Sequence, residues 1–344
     1  MKPLRILVLM HESLVPPESV KGLSPKEYDE IKTEFDVVQA LRKAGHEVRP
    51  LGVYDKLGDL RASIAEWKPD IVFNLLEEFQ GIAAYDQHVV AYLELLRQPY
   101  TGCNPRGLMI SRDKVLSKEI LSYHRIPTPQ FAVFRKGRRY VIPKKLRYPL
   151  FVKSTSEDAS LGISQASIVH DVAKLKERIE FIHEQTHSDA LVEEYVEGRE
   201  LYVGVLGNEQ LKTFPVWELD FGTLGEVQAA IATRRVKWDL KYQDRHGIKP
   251  LAAPGLTEAQ CAYLFKLSKR IYRALSLSGY ARMDFRMRTD GSVYCLEANA
   301  NPNLSHDEDF AQSALSVNIK FDDLLERIVR MGLNYQAAWR MTEV

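Results

Sequence analysis

The first part of the chain alternates between two hydrophobic rhythms. Leu4 to Met10 is a short apolar run. From about Tyr28 to Ala44 the apolar positions Ile31, Phe35, Val38 and Leu41 fall on one helical face, which Gly45 closes. His46 to Val53 reads as a strand, Leu60 to Trp67 as a short helix, Asp70 to Leu76 as a third strand and Tyr85 to Leu96 as a helix. Such strand–helix alternation predicts a parallel sheet in an α/β layer. The Pro/Gly-rich stretch Gln98 to Gly107 reads as a loop before a helix from Arg112 to His124, and Pro127 and Pro129 end this regime.

Strand-like runs then dominate at Phe131–Phe134, Leu150–Ser154, Ile163–Val169, Ala190–Val196 and Leu201–Leu206, with one amphipathic helix from Val172 to Gln185. This predicts an inserted α+β unit. Asp220 to Pro254 shows little periodicity and reads as a long loop, the kind that serves as a functional lid. A helix from Glu258 to Ser278, a β-hairpin and a terminal helix near Phe321 to Ala338 complete the chain.

The 344 residues carry 47 basic and 46 acidic side chains, a formal net charge of +1. That balance argues against broad nucleic-acid or anionic-membrane binding. Cys103, Cys261 and Cys295 are the three cysteines and form no disulfide framework. The apolar run Ile6–Met10 is too short for a signal-peptide core, and no stretch is long enough to span a bilayer. The chain reads as cytoplasmic.

The most informative segment is GYARMDFRMRTDGSVYCLEANANPN, Gly279 to Asn303. Asp290-Gly291 between alternating runs signals a two-residue hairpin turn. With that turn Thr289 faces Ser292, Asp284 faces Glu297 and Arg282 faces Asn299. Met283, Phe285, Met287, Tyr294, Leu296 and Ala298 would face the core, and Arg282, Asp284, Arg286, Cys295, Glu297 and Asn299 the other side. Carboxylates directly opposite on antiparallel strands lie about 5 Å apart and repel. They persist together when a cation sits between them, and with the Asn299 carbonyl they form a hard oxygen set suited to Mg²⁺ or Mn²⁺. The competing reading is a charged sheet face on which Arg282 and Arg286 neutralise the acids.

Lys153 ends an apolar strand and is followed by the small-residue stretch STSEDASLGIS, a pattern that can cradle phosphate, although P-loop spacing is absent. Glu193 and Glu194 in LVEEY point to opposite faces of a strand, and Glu200 opens the next one. Carboxylates there can accept hydrogen bonds from ribose hydroxyls or an exocyclic amine. A solvated strand edge explains them equally, as a solvated helix face explains Lys114.

In order, PYTGCNPRGLMISRDK, PLFVKSTSEDASLGIS, LVEEYVEGRELYVGVLGN, KWDLKY and ARMDFRM…CLEANANPN resemble the ATP-grasp superfamily, most closely the D-alanine–D-alanine ligases, from about Asp70 to Ala314. The resemblance implies an α/β (α+β) three-domain ATP-grasp architecture. Its parts are an N-terminal parallel-sheet α/β domain (1–126), a central lid-like α+β domain (127–209) and a C-terminal α+β domain (210–344). It also implies ATP and two Mg²⁺ ions, with Mn²⁺ an alternative. Carried over by residue, Lys114 and Lys153 match the lysines on the ATP phosphates. Glu193 and the backbone of Glu194, Tyr195 and Val196 match the adenine site, and Glu200 the acid on the ribose. Asp284, Glu297 and Asn299 match the metal ligands, and Arg282 the arginine near the transferring phosphate. Ser160 and Leu161 fall in the loop that covers the phosphates. The implied reaction joins a carboxylate to an amine through an acylphosphate. The family is often dimeric.

The substrate half departs from the pattern. Glu77 stands where the family has a histidine, and Ala159 where its lid loop has a serine. Asn303 stands at a glycine position, and Glu308, in HDED with Asp307 and Asp309, near a serine that holds the second substrate's carboxylate. Lys241-Tyr242 retains the pair of the family's long loop, and Glu12 or Glu18 could bind a substrate amine. An acidic segment repels an amino acid's carboxylate and favours a cationic amine. The expectation is therefore a carboxylate–amine ligase acting on small molecules other than two D-alanines. A true D-alanine ligase, a non-catalytic ATP-binding regulator and a Mg²⁺-dependent phosphohydrolase or nuclease are the alternatives.

Overall fold

The structure, a computed structural model, describes residues 2–155, 163–224 and 231–341. Strands β1 (Arg5–His11), β2 (Glu47–Val53) and β3 (Ile71–Asn74) form a parallel sheet in the order β2-β1-β3, connected by α1 (Pro25–Lys43) and α2 (Leu57–Trp67). Helix α1 starts where Ser24 and Glu27 form a capping box with Pro25 in the first turn. It stops at Gly45, whose φ of 90° suits a residue without a Cβ. After α3 (Asp86–Leu95) two helices replace the expected one: α4 (Pro105–Arg112) and α5 (Lys114–Tyr123). The end of the expected loop is helical because Asn104 caps the Gly107 amide. Asp113 then caps the Val115 and Leu116 amides and starts a new helix.

Strands β4 (Phe131–Phe134), β5 (Leu150–Ser154), β6 (Ile168–Val169) and β7 (Ala190–Glu194) form an antiparallel sheet in the order β4-β7-β5-β6, covered by α6 (Val172–Gln185). The expected strand from Ile163 shrinks to β6 because Gln165–Ser167 closes into a 3-10 turn behind Ser164. Leu150, Val152, Leu175, Ile179, Ile182 and Val192 give this unit a core of its own.

Beyond it lie β8 (Arg199–Leu206), β9 (Lys212–Thr213), β10 (Trp217–Asp220), α7 (Arg234–Trp238), α8 (Leu240–His246) and β11 (Lys249–Ala252). They are followed by α9 (Glu258–Ala274), β12 (Tyr280–Met287), β13 (Val293–Ala300), α10 (Asp309–Leu315), α11 (Phe321–Asn334) and α12 (Ala338–Met341). The larger sheet runs β11-β10-β8-β12-β13, with β9 beside β8. Two expectations are corrected here. Leu201–Leu206, grouped by sequence with the inserted unit, pairs instead with β10 and β12. The region expected as one loop from Asp220 to Pro254 contains α7, α8 and β11, the helices started by the caps Thr233 and Asp239. Helices this short leave no readable period.

One face of β1 (Leu7, Leu9) joins Val72, Val203, Met283 and Phe285 in a shared core. The other face (Ile6, Val8) packs with Val38 and Leu41 of α1 and Leu324 and Ile328 of α11. The first and last parts of the chain thus share their interior, while the inserted sheet stands on a separate one.

The hairpin turn is Thr289-Asp290-Gly291. It is closed by the Arg288 amide on the Ser292 carbonyl, with Gly291 at φ 83°. A bulge then interrupts the ladder between Asp284 and Phe285, after which Phe285 pairs Cys295 and Arg286 pairs Tyr294. The pairs Asp284–Glu297 and Arg282–Asn299 stand as expected. The face assignment nearer the turn does not: Cys295 is buried in the core, Tyr294 lies opposite Arg286, and Leu296 turns to the cleft beside Glu297.

Candidate active site

A cleft enclosing about 920 Å³, part of it open solvent, separates the inserted sheet from the larger one. Phe151 and Lys153 enter it from β5 and Glu193 and Glu194 from β7; Tyr195 and Val196 line it from the turn that follows. Glu200 of β8, Asp284 and Arg286 of β12 and Glu297 of β13 form the opposite wall. Lys114 at the start of α5 and Lys237 on α7 complete it. Nine of the residues singled out from the sequence are brought together here: Lys114, Lys153, Glu193, Glu194, Tyr195, Val196, Glu200, Asp284 and Glu297.

Several of their charges are paired within the protein. The Glu193 carboxylate lies 2.5 Å from Lys118 Nζ through Oε1 and 3.0 Å from Lys153 Nζ through Oε2. Burial would raise this carboxyl, but the two ammonium groups hold it below its ordinary value. Glu200, expected on a ribose, accepts from Arg286 Nη2 at 2.5 Å and from the Tyr202 hydroxyl at 2.9 Å. The amides of Glu194 and Tyr195 donate to the carbonyls of Gln130 and Pro149. A base at that turn therefore meets other groups than those two N–H donors.

Arg282 forks onto Asp284, Nε to Oδ1 at 2.8 Å and Nη2 to Oδ2 at 2.9 Å, and reaches Asp309 Oδ2 with Nη1 at 2.8 Å. Its guanidinium lies 4.5 Å from the Tyr202 ring centre. The reading in which arginines neutralise the hairpin acids thus describes Arg282–Asp284, whereas Arg286 pairs with Glu200 of β8, outside the hairpin. Burial pushes Asp284 up to about 6 against the pull of Arg282. Glu297, which burial alone would raise, is drawn down to about 2 by Lys114, Lys153 and Lys237. Asp284 and Glu297 face each other across the ladder and Asn299 lies two residues along the same strand. This is a hard oxygen set with one carboxylate firmly ionised, and it fits a divalent cation.

The remaining expected residues lie apart. Ser160, Leu161 and Ala159 fall outside the described residues. Glu12 is exposed after β1, and Glu18 pairs with Arg42. Tyr242 packs beside Phe221, Leu224, Val236 and Ile248, and Lys241 is exposed. Asn303 Oδ1 accepts from the Thr33 hydroxyl at 2.9 Å and the Ser305 amide at 2.8 Å. Glu77 is exposed beyond β3. In HDED, Asp307 is ion-paired with Lys32 and Asp309 with Arg282. Half-buried Glu308 sits between them, pushed up to about 7 by burial and by Asp309 and Asp307. Glu34, on α1 near Glu77, is 6% exposed and burial likewise carries it to about 7.

Sequence reasoning missed Lys118, Lys237, Tyr202 and Glu34 as parts of this arrangement, and expected Arg286 against the hairpin acids rather than against Glu200. Lys118 follows Lys114 by one helical turn, which was a readable signal. Lys237 lies in the same KWDLKY stretch as Lys241 and faces the cleft in its place.

A family model described as the D-ala D-ala ligase C-terminus matches residues 120–330. A Sinorhizobium fredii protein named uncharacterized protein y4sG is 34% identical over 313 residues, covering 89% of this chain and 88% of that one. The D-alanine–D-alanine ligase of Syntrophotalea carbinolica is 33% identical over 312 residues, covering 90% and 92% respectively. Among solved structures, the Bacillus anthracis D-alanine–D-alanine ligase complexed with ATP superposes with a TM-score of 0.74 at 25% identity. The match covers 99% of this chain and 100% of that one.

Proposed function

The chain belongs to the D-alanine–D-alanine ligase family and is an ATP-dependent ligase forming C–N bonds, and we propose that its acceptor is a cationic amine rather than D-alanine. Such a ligase works in two steps. A carboxylate oxygen attacks the γ-phosphorus of ATP and ADP leaves. The amine nitrogen then attacks the acyl carbon, giving the amide and phosphate. Positioning and charge neutralisation supply most of the acceleration. Lys114, Lys153 and Lys237 would hold the phosphate oxygens. Arg282, fixed in orientation by Asp284, Asp309 and the Tyr202 ring, would stand at the transferring group. Asp284, Glu297 and Asn299 would hold Mg²⁺, or Mn²⁺, which supplies further neutralisation of phosphate charge. Ser160 remains assigned, through the family resemblance, to the loop over the phosphates.

The observation that carries the acceptor reading is Glu308. Lys32 and Arg282 are already engaged by Asp307 and Asp309, so a D-alanine carboxylate arriving there meets a third acid flanked by matched pairs. A cationic group would instead supply the missing charge. Because the attacking nitrogen must be unprotonated, that cation is a second group, as in a diamine or a basic amino acid.

The test is ADP release from Mg²⁺-ATP across L- and D-amino acids and simple amines and diamines, with product masses from each active well. Amide from D-alanine alone would identify a D-alanine ligase, which the names of the relatives favour, and would overturn the cationic reading. Glu308→Ser is expected to raise turnover of D-alanine, and equal turnover by both forms counts against the role of Glu308. Among the described residues no helix is long and apolar enough to cross a membrane. A cytoplasmic site and a homodimer are proposed on the family resemblance, the latter to be tested by sedimentation.

A further inference from the structure

We infer that Lys118 is a positioning residue: by sharing the buried Glu193 carboxylate it leaves Lys153 with charge to offer the nucleotide phosphates. The inference rests on the reading of this cleft as the ATP site.

Three side chains form the unit, and all are nearly closed to solvent: Lys118 is 2% exposed, Glu193 4% and Lys153 9%. Lys153 lines the cleft, and Lys118 stands behind Glu193 with its ammonium 6.0 Å from the Phe131 ring centre. The carboxylate has one oxygen for each lysine. Two ammonium groups on one carboxylate leave a net positive unit, of which only Lys153 reaches the ligand space. Without Lys118 the same carboxylate would close onto Lys153 as a neutral buried pair. An anion in the cleft would then have to compete with Glu193 for that ammonium. Burial would lower the Lys153 ammonium, yet Glu193 and Glu297 hold it above its ordinary value, so it stays charged. Lys118 thus acts through another side chain.

Glu193 is paired with Phe131 on one side and Phe151 on the other within the inserted sheet, which fixes the backbone from which its carboxylate reaches the two lysines. Lys118 comes from α5, the helix that also carries Lys114 into the cleft one turn earlier. One helix therefore supplies both a group facing the cleft directly and the counter-charge behind the opposite wall.

The experiment compares binding of Mg²⁺-ATP with binding of adenosine by calorimetry, the ratio of the two affinities reporting the phosphate contribution. Lys118→Met is expected to cut that ratio about tenfold, the effect of withdrawing one nearby charge in a partly screened site, with adenosine affinity unchanged. Lys118→Arg should restore most of it. Lys118→Met with Glu193→Gln should recover it as well, because removing the competing carboxylate frees Lys153 again. A purely structural role predicts that the double variant is no better than the single one, and that result overturns the inference. So does an unchanged ratio in Lys118→Met. Should Lys118→Met not fold, the same change is read on the Glu193→Gln background. There it should leave the ratio unaltered, and a tenfold drop would mean that Lys118 acts on the phosphates directly. A wild-type ratio near one would instead refute the ATP-site reading itself, which separates the two failures.

Discussion

Gly198 joins the two walls of the cleft, and replacing it with alanine tests how tightly they are joined. It sits between β7 and β8 at φ 142°, where L-residues are strained. Its carbonyl accepts from Arg286 Nη1 at 2.9 Å, the arginine that also holds Glu200. A Cβ on Gly198 would lie 2.1 Å from the Met287 carbonyl oxygen and 2.8 Å from its carbon. Both are backbone atoms of β12, which is hydrogen-bonded to β8 on one side and β13 on the other and has little room to give. The connecting turn must move instead.

Backbone strain of about 1–3 kcal/mol and overpacking of similar size sum to about 2–6 kcal/mol. At about 2 °C per kcal/mol, suitable for a chain of this size, the melting temperature should fall by about 4–12 °C in scanning calorimetry. The control is Gly58→Ala. Gly58 lies in α2 with nothing within 4 Å of the added carbon, so alanine should be neutral or stabilise by up to about 1 kcal/mol. Gly198→Ala should also weaken ATP binding, because Arg286 and Glu200 are displaced with the turn. If Gly198→Ala melts with the wild type and Gly58→Ala, the close approach of the turn to β12 does not constrain the cleft.

Glu34→Gln should raise the melting temperature at pH 8 and leave it unchanged near pH 4.5. A carboxyl lifted from 4.5 to about 7 favours the folded state when protonated, so stability falls as pH rises through that window, and glutamine abolishes the slope. Ile179→Ala should cost about 2–5 kcal/mol. In hydrogen exchange the faster amides should be confined to β4–β7 and α6, with α1 and α11 protected as before. Uniform acceleration would contradict a separate core for the inserted sheet. Lys237→Gln should lower kcat/KM for ATP about tenfold or more, while Lys241→Gln stays near wild type. The reverse order in steady-state assays would show that the cleft-facing lysine had been misassigned.

Local signals were legible where they acted alone. Gly45 marks the end of α1 without reference to the rest of the chain, and α6 stands at its expected bounds, whereas the start of α1 was read at Tyr28 and its Ser24–Pro25 cap was passed over. The pairing of Asp284 with Glu297 was also legible, through two compensating errors. The turn holds one residue more than Asp290-Gly291 implies, and the bulge beside Leu296 restores the register. Only the segment between the two was misread, which is why Cys295 and Leu296 changed faces. Long-range ownership of charge was not legible. Nothing near Glu193 indicates that Lys118 of α5 will meet it, and nothing near Asp307 indicates Lys32 of α1. Strand β8 was misplaced because adjacency in sequence suggests pairing with β7, whereas Gly198 carries the chain across to β12.

That long-range ownership gives the site its polarity. Around one part of the cleft, Lys114, Lys118, Lys153 and Lys237 surround Glu193 and Glu297 and hold both carboxyls below their ordinary values. Around Arg282 the balance reverses: Arg282 and Lys32 face Asp284, Asp307, Glu308 and Asp309. On the proposed roles, phosphoryl transfer uses the first field together with Arg282 and Asp284, since its charge is the same whichever amine is joined. On the proposed reading the second field, which contains Glu308, is the part that varies with the acceptor. The lysines line the cleft, whereas Asp307, Glu308 and Asp309 lie outside its lining and connect to it through Arg282, which holds both Asp284 and Asp309. Changing the acceptor should therefore be achievable through Glu308 without loss of acylphosphate formation, whereas no change at Arg282 should separate the two steps.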